Sequence, residues 1–148
     1  MKKPRVLFVC IHNSARSQMA EALLQHHCGD TFEAFSAGLE AGTLNPLAVE
    51  ALQLIGIDIS GRRSKRVWEF IKSGALFAYV ITVFDETSAE RCPVFPFGVK
   101  RLHWSFPDPS SFTGTPSERL AKTAEVRDQI DAKILEWCAA TCGPAESS

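Results

Sequence analysis

Val6-Leu7-Phe8-Val9-Cys10-Ile11-His12-Asn13-Ser14-Ala15-Arg16-Ser17 runs directly into Gln18-Met19-Ala20-Glu21-Ala22-Leu23-Leu24. The opening residues are β-branched and aromatic and end at a cysteine, whereas the closing ones are strong helix formers. The join therefore predicts a strand–loop–helix turn. Successive loop N–H groups in such a turn, with the unpaired donors of the first helical turn, point into one small concavity and favour an anion there. Arg16 adds a planar fork of donors suited to a tetrahedral oxyanion. Cys10 is expected at the floor of that bowl, where the same donors favour thiolate over thiol. A thiolate beneath a phosphate-like anion is a nucleophile already aimed at the central atom. Asn13 and Ser14 tolerate the backbone angles that an anion nest demands. The oxyanion is thus expected against Ile11, His12, Asn13, Ser14, Ala15 and Arg16. The competing reading of Cys10 alone is a small core residue at the end of a buried strand.

The chain has 148 residues, 45% of them apolar, which is enough for one domain with a sizeable core. Its net charge of −1 excludes a global field for nucleic acid or an anionic membrane, so any anion preference must be local. No apolar run approaches the length of a membrane span, and Lys2-Lys3 precede a strand-sized segment rather than a signal core. The expectation is a cytoplasmic protein. Five cysteines, an odd number without a dense framework, read there as reactive or buried thiols rather than structural disulfides.

Working outward, Arg5 to Cys10 is the first strand, nearly continuous in apolar residues as a central parallel strand should be. Ser14 to about His27 is a helix with Met19, Ala22, Leu23 and His26 on one face. Phe32 to Phe35 is a second strand, and Asn45-Pro46 starts a second helix with Asn as cap and Pro at its first position. Ser64 is placed to cap a short helix ending at Gly74. Phe77 to Phe84 and Lys100 to Trp104 are strands, and Pro116 to Trp137 is the last helix, with Leu120, Val126, Ile130, Ile134 and Trp137 inward. Strands alternating with helices predict an α/β fold of three layers, α-β-α, around a parallel sheet. Ligands of such sheets sit beyond the carboxyl ends of the strands, where Cys10 falls. One domain over 1–140 and a frayed tail over 141–148 are expected.

Chemistry through a cysteinyl adduct gains from an acid that protonates the leaving oxygen. Asp108 is the candidate: Pro107 and Pro109 stiffen its loop, which follows the fourth strand's carboxyl end, although Asp-Pro is also a plain turn signal. Ser17 is placed to donate its hydroxyl to the Cys10 sulfur. Asn13 is expected to bond Ser36 or Ser14. His12 reads as a surface residue and Cys28 as packed; Cys138 and Cys142 share a face only if the last helix continues.

Val9-Cys10-x-His12-Asn13-Ser14-Ala15-Arg16-Ser17-Gln18-Met19-Ala20-Glu21-Ala22 resembles the arsenate reductases built on the low-molecular-weight protein tyrosine phosphatase fold. So do Ser36-Ala37-Gly38, Asn45-Pro46-Leu47-Ala48-Val49, Ile55-Gly56-Ile57-Asp58-Ile59-Ser60, Tyr79-Val80-Ile81-Thr82-Val83, Cys92-Pro93 and His103-Trp104-Ser105-Phe106-x-Asp108-Pro109. The resemblance implies a four-stranded parallel sheet flanked by helices and a phosphatase-type loop at 10–17. It implies Cys10 as nucleophile, Arg16 as oxyanion clamp and Asp108 as general acid, with no metal or cofactor in the chemistry. Tyrosine phosphatases of this shape usually carry a second cysteine just before the loop arginine, a proline after Arg-Ser and an aromatic residue after Asp-Pro. Ala15, Gln18 and Ser110 stand there instead, and Ser110 offers no platform for a phenol.

Reduction needs a second thiol to attack the Cys10–arsenic adduct, release arsenite and leave a disulfide. Thioredoxin-coupled members have two cysteines after the third strand. Cys92-Pro93 matches the second, while the first position falls on Phe84. Cys92 is then the resolving thiol, or an external one supplies the sulfur: thioredoxin, glutaredoxin with glutathione, or mycothiol. A phosphotyrosine phosphatase and a non-catalytic oxyanion-binding module are the alternatives. Related reductases also hold potassium near the loop through Asn13, Glu21, Ser36 and a carboxylate after a serine. Here Ser64 is followed by Lys65, whose ammonium is expected to replace that ion and pair with Glu21.

Overall fold

A computed structural model describes residues 3–13, 15–40, 42–83 and 100–147, the last six of these by backbone alone. Ser14, Phe84 and Cys92, on which three of the expectations fall, lie outside the described residues. The elements run β1 (Arg5–Cys10), α1 (Arg16–Cys28), β2 (Glu33–Gly38), α2 (Pro46–Gln53), α3 (Val67–Lys72), β3 (Tyr79–Thr82), β4 (Lys100–His103) and α4 (Pro116–Ser147). The four strands form one parallel sheet in the order β2-β1-β3-β4. The hydrophobic run of β1 therefore lies between two neighbours, and Val6, Leu7, Phe8 and Val9 are completely buried. At the far edge, β4 leaves Lys100 and Arg101 exposed, charges that discourage pairing with another chain.

Register decides which helix meets which face. Phe8 pairs with Ser36 and Ile81, and Leu7 pairs with Phe35 and Val80, so these two sets point to opposite sides. On the first side Trp137 of α4 packs against Phe32, Tyr79 and Trp104, and Phe8 also meets Trp104. On the second side Phe35 packs against Phe70 of α3 and against Phe77. The sheet is thus sandwiched between helices in three layers, as the alternation of strands and helices predicts.

Several boundaries differ from expectation, each for a packing reason. β2 runs on to Gly38 because Ser36, Ala37 and Gly38 continue the ladder with β1, ending with Cys10 opposite Gly38. His26 is exposed rather than inward; the buried side of α1 is made by Met19, Ala20, Ala22, Leu23 and Leu24. Ser64 does not cap α3. That place belongs to Arg66, whose backbone N–H donates to Glu69 Oε2 at 2.8 Å. α4 continues to Ser147 rather than ending at Trp137. Its buried stripe of Thr123, Val126, Ile130, Ile134 and Cys138 keeps helical spacing through one further turn. Asn45 caps α2 as expected, with Oδ1 accepting from the Leu47 N–H at 2.9 Å. Among the described residues no helix is long and apolar enough to cross a membrane.

Ile130 is fully buried in the stripe that seats α4 on the sheet. Ile130→Ala is expected to remove about 2–5 kcal/mol of stability through lost burial and a residual cavity, read from urea denaturation midpoints.

Candidate active site

β1 delivers Cys10 to the carboxyl edge of the sheet, and α1 begins at Arg16. The turn between them closes tightly because Asn13 adopts a left-handed φ of 54°, a conformation Asn reaches more readily than other side-chain-bearing residues. This geometry aims the Asn13 backbone N–H at Cys10 Sγ, 3.1 Å away. Ser17 Oγ lies 2.8 Å from the same sulfur. Asn13 Nδ2 donates to Ser17 Oγ at 2.7 Å, which occupies the oxygen as acceptor and leaves the hydroxyl hydrogen for the sulfur. Two donors therefore converge on Cys10, whose exposure is 2%.

Ala15 stands at the N-cap of α1 and supplies no side-chain cap. The first i to i−4 bond runs from Met19 N–H to the Ala15 carbonyl, so the N–H groups of Arg16, Ser17 and Gln18 lie ahead of it. A helix start that lacks its own cap is a ready anion site. Arg16 is buried, with Nη1 donating to the Phe106 carbonyl at 3.3 Å and Nη2 3.6 Å from Asp108 Oδ2. Asp108 Oδ1 accepts the Ser110 N–H at 2.9 Å, which fixes the carboxyl at the head of the short turn Pro109–Ser111. Loop, guanidinium and carboxyl thus meet beyond the carboxyl ends of the strands.

A groove of about 350 Å³ opens beside the loop, lined by His12, Thr43, Leu44, Asn45, Pro46 and Ser110. His12 is half exposed and faces Glu40, its Nε2 3.1 Å from the carboxylate. A larger hollow of about 760 Å³ lies where the strands begin, around Lys3, Arg5, Glu33 and Phe77, away from Cys10.

The loop's underside is held by residues 62–66. Ser64 Oγ donates to the His12 carbonyl at 2.7 Å, the Lys65 N–H to Asn13 Oδ1 at 2.9 Å, and the Gly38 N–H to the Lys65 carbonyl at 2.7 Å. Gln18, fully buried, donates from Nε2 to Asn13 Oδ1 at 2.9 Å and to the Arg63 carbonyl at 3.0 Å. The sequence marks Gln18 only as standing where phosphatases of this shape carry a proline, and its role as a brace is not visible there. Asn13 bonds Ser17 rather than Ser36, because its left-handed backbone turns the amide along the loop. Ser36 Oγ donates instead to Glu21 Oε1 at 2.8 Å.

Lys65 does not pair with Glu21. Its ammonium donates to the Arg63 carbonyl at 3.2 Å, while Arg62 Nη1 forms the ion pair with Glu21 Oε2. Arg62, the first of the residues under the loop, thus spans to α1, while Lys65 turns back to its own backbone neighbour. Burial first, then Arg62 and Arg63, push the Lys65 ammonium below its usual pKa. Burial also lowers that of Arg62, which stays charged nonetheless. The residues present do not fit the potassium ion that the resemblance implies: Asn13 Oδ1 already accepts two N–H groups, and Glu21 is taken by Arg62 and Ser36. Gln18 Oε1, buried without a donor, is a single neutral oxygen and makes no cage. Cys28 is half-buried against the core and Cys138 is buried.

The profile of the low molecular weight phosphotyrosine protein phosphatase family matches residues 5–142. An arsenate reductase of Shouchella clausii is 43% identical over 93% of this chain and 96% of its own length. Among solved structures, the thioredoxin-dependent arsenate reductase of Corynebacterium glutamicum is 31% identical with a TM-score of 0.69, over 95% of this chain and 62% of that protein. An arsenate reductase in its phosphate-binding state is 27% identical with a TM-score of 0.71, over 93% of this chain and 98% of that one.

Gly38 is where β2 abuts the loop: a Cβ there would lie 2.7 Å from both Asn13 N and His12 C. Gly38→Ala must displace loop backbone. The expected result is a folded protein whose affinity for inorganic phosphate, read by titration calorimetry, falls roughly tenfold or more.

Proposed function

The chain belongs to the low molecular weight phosphotyrosine protein phosphatase family, and within it we propose that it reduces arsenate to arsenite. The observation that carries this reading is Cys10 Sγ, held by donors from Asn13 and Ser17 on the floor of an uncapped helix start beside the buried Arg16 fork. The relatives named above are arsenate reductases, and the places that distinguish phosphatases hold Ala15, Gln18 and Ser110. Gln18 is tied into the loop through its side-chain amide, bonds that a proline there would lack.

Arsenate binds against the loop 10–16, its negative charge met by backbone N–H groups and by Arg16. Cys10 Sγ attacks arsenic and the hydroxyl of a monoprotonated arsenate departs, its As–O bond breaking as it takes a proton from Asp108 so that water leaves. A second thiolate then attacks Cys10 Sγ. The sulfur–arsenic bond breaks, its electron pair stays on arsenic as arsenite, and a disulfide remains. Two thiols have lost the two electrons that arsenic gained. Ser17 steadies the Cys10 sulfur as the attacking group.

The second thiol is Cys92 or an external sulfur. Thioredoxin, glutaredoxin with glutathione, and mycothiol are the candidate reductants, and the thioredoxin-dependent relative supports the first. A cytoplasmic location, where such systems keep thiols reduced, fits this cycle.

Arsenite production assayed in parallel with the three reductants is the direct test. Cys10→Ser is expected to lose turnover entirely. Asp108→Asn should lower kcat by about 10²- to 10⁴-fold, the range of general acid catalysis. Mass mapping after one turnover should show Cys10 joined to Cys92 or to the reductant, and normal turnover of Cys92→Ser with every reductant would remove Cys92 from the cycle. Turnover of p-nitrophenyl phosphate far above arsenate reduction would instead make the protein a phosphatase, and consumption of neither substrate an oxyanion-binding module.

A further inference from the structure

The strap 62–66 presents Arg62 and Arg63 to one face of α1. Gln18 and Glu21, one helical turn apart on that face, receive them in order: Gln18 Nε2 donates to the Arg63 carbonyl at 3.0 Å, and Glu21 pairs with the Arg62 guanidinium. The Glu21 side chain is only 13% exposed, so its carboxylate needs a positive partner close by. Its other oxygen is occupied by Ser36 Oγ of β2. Arg62 thereby joins strap, helix and strand at one buried charge. The next residues of the strap hold the loop itself, at the His12 carbonyl and at Asn13 Oδ1. Asn13 in turn donates to Ser17 and to Cys10 Sγ.

We infer that Arg62 is a positioning residue, a cation built into the chain that neutralises Glu21 and keeps the strap seated under the loop, so that oxyanion binding needs no added potassium. It touches neither substrate nor Cys10. Its effect is carried through Arg63, Ser64 and Lys65 to the shape of the bowl. The inference rests on the loop 10–17 being the anion site and, for its kinetic readout only, on arsenate reduction.

The test measures inorganic phosphate affinity, melting temperature, the rate of Cys10 alkylation by iodoacetamide, and arsenate kcat and KM. Each is taken in sodium chloride and in potassium chloride at equal ionic strength. The wild type is expected to be indifferent to the choice of cation. In sodium, Arg62→Ala should weaken phosphate binding and raise the arsenate KM by roughly tenfold or more, with kcat moved less, the scale on which contacts supporting a site act. Potassium should not restore that loss, because Asn13 Oδ1 stays occupied, and Arg62→Lys should retain most of the wild-type affinity. If Arg62→Ala fails to fold, the double variant Glu21→Gln/Arg62→Ala, which removes both charges, should recover a melting transition. Undiminished phosphate binding by Arg62→Ala in sodium, a potassium-stimulated wild type, or a double variant no more stable than the single one would each overturn the role of Arg62. A wild type that binds phosphate with this dependence on Arg62 yet makes no arsenite would overturn the reductase reading and leave the positioning role standing.

Discussion

A sulfur at the end of a buried strand must be met by hydrogen-bond donors if it is to serve as an anion rather than as packing, and the rest of this structure supplies them. The supply runs through one residue. Asn13, bent into the left-handed region, turns its own N–H onto Cys10 and its side-chain amide onto Ser17, which frees the Ser17 hydroxyl for the same sulfur. A residue unable to hold that φ would open the turn and lose both donors together.

Such a conformation persists only where its surroundings over-determine it. Gly38 lets the end of β2 approach the loop backbone, Gln18 and the Lys65 N–H bond Asn13 Oδ1, and Ser64 holds the His12 carbonyl. Asn13 is completely buried, so the donors that meet its Oδ1 would be expensive to leave out. Strand, helix and strap thus all converge on the loop at His12 and Asn13. The α1 N-terminus, left without a side-chain cap at Ala15, can then turn its donors outward to a ligand instead of spending them on its own fold.

Charge is handled with the same economy on the two sides of the loop. Above, Arg16 is buried yet bonded to the Phe106 carbonyl and close to the Asp108 carboxylate, so the fork is oriented before any oxyanion arrives. Below, the Glu21 carboxylate is balanced by Arg62 rather than by the nearer-looking Lys65. The two arginines differ in setting: Arg16 lies beside Asp108 and the Phe106 carbonyl, whereas Arg62 pairs with Glu21 of α1. A groove lined by His12, Thr43, Leu44, Asn45, Pro46 and Ser110 opens at the mouth.

The order of elements, the strand ending at Cys10, the helix opened by Arg16, the loop of Asp108 and the Asn45 cap were legible in the residues alone, because periodicity, Pro and Asn positions and the Cys-to-Arg spacing are local signals. Even the contact of Ser17 with Cys10 could be read from chain proximity around a single turn. What only the folded chain decided was pairing over long separations. Whether Arg62 or Lys65 meets Glu21, whether Ser64 caps a helix or ties down the His12 carbonyl, and whether Gln18 braces the loop all depend on where the strap crosses beneath α1. Side-chain reach and burial settle such choices, and neither is encoded in the spacing of residues along the sequence.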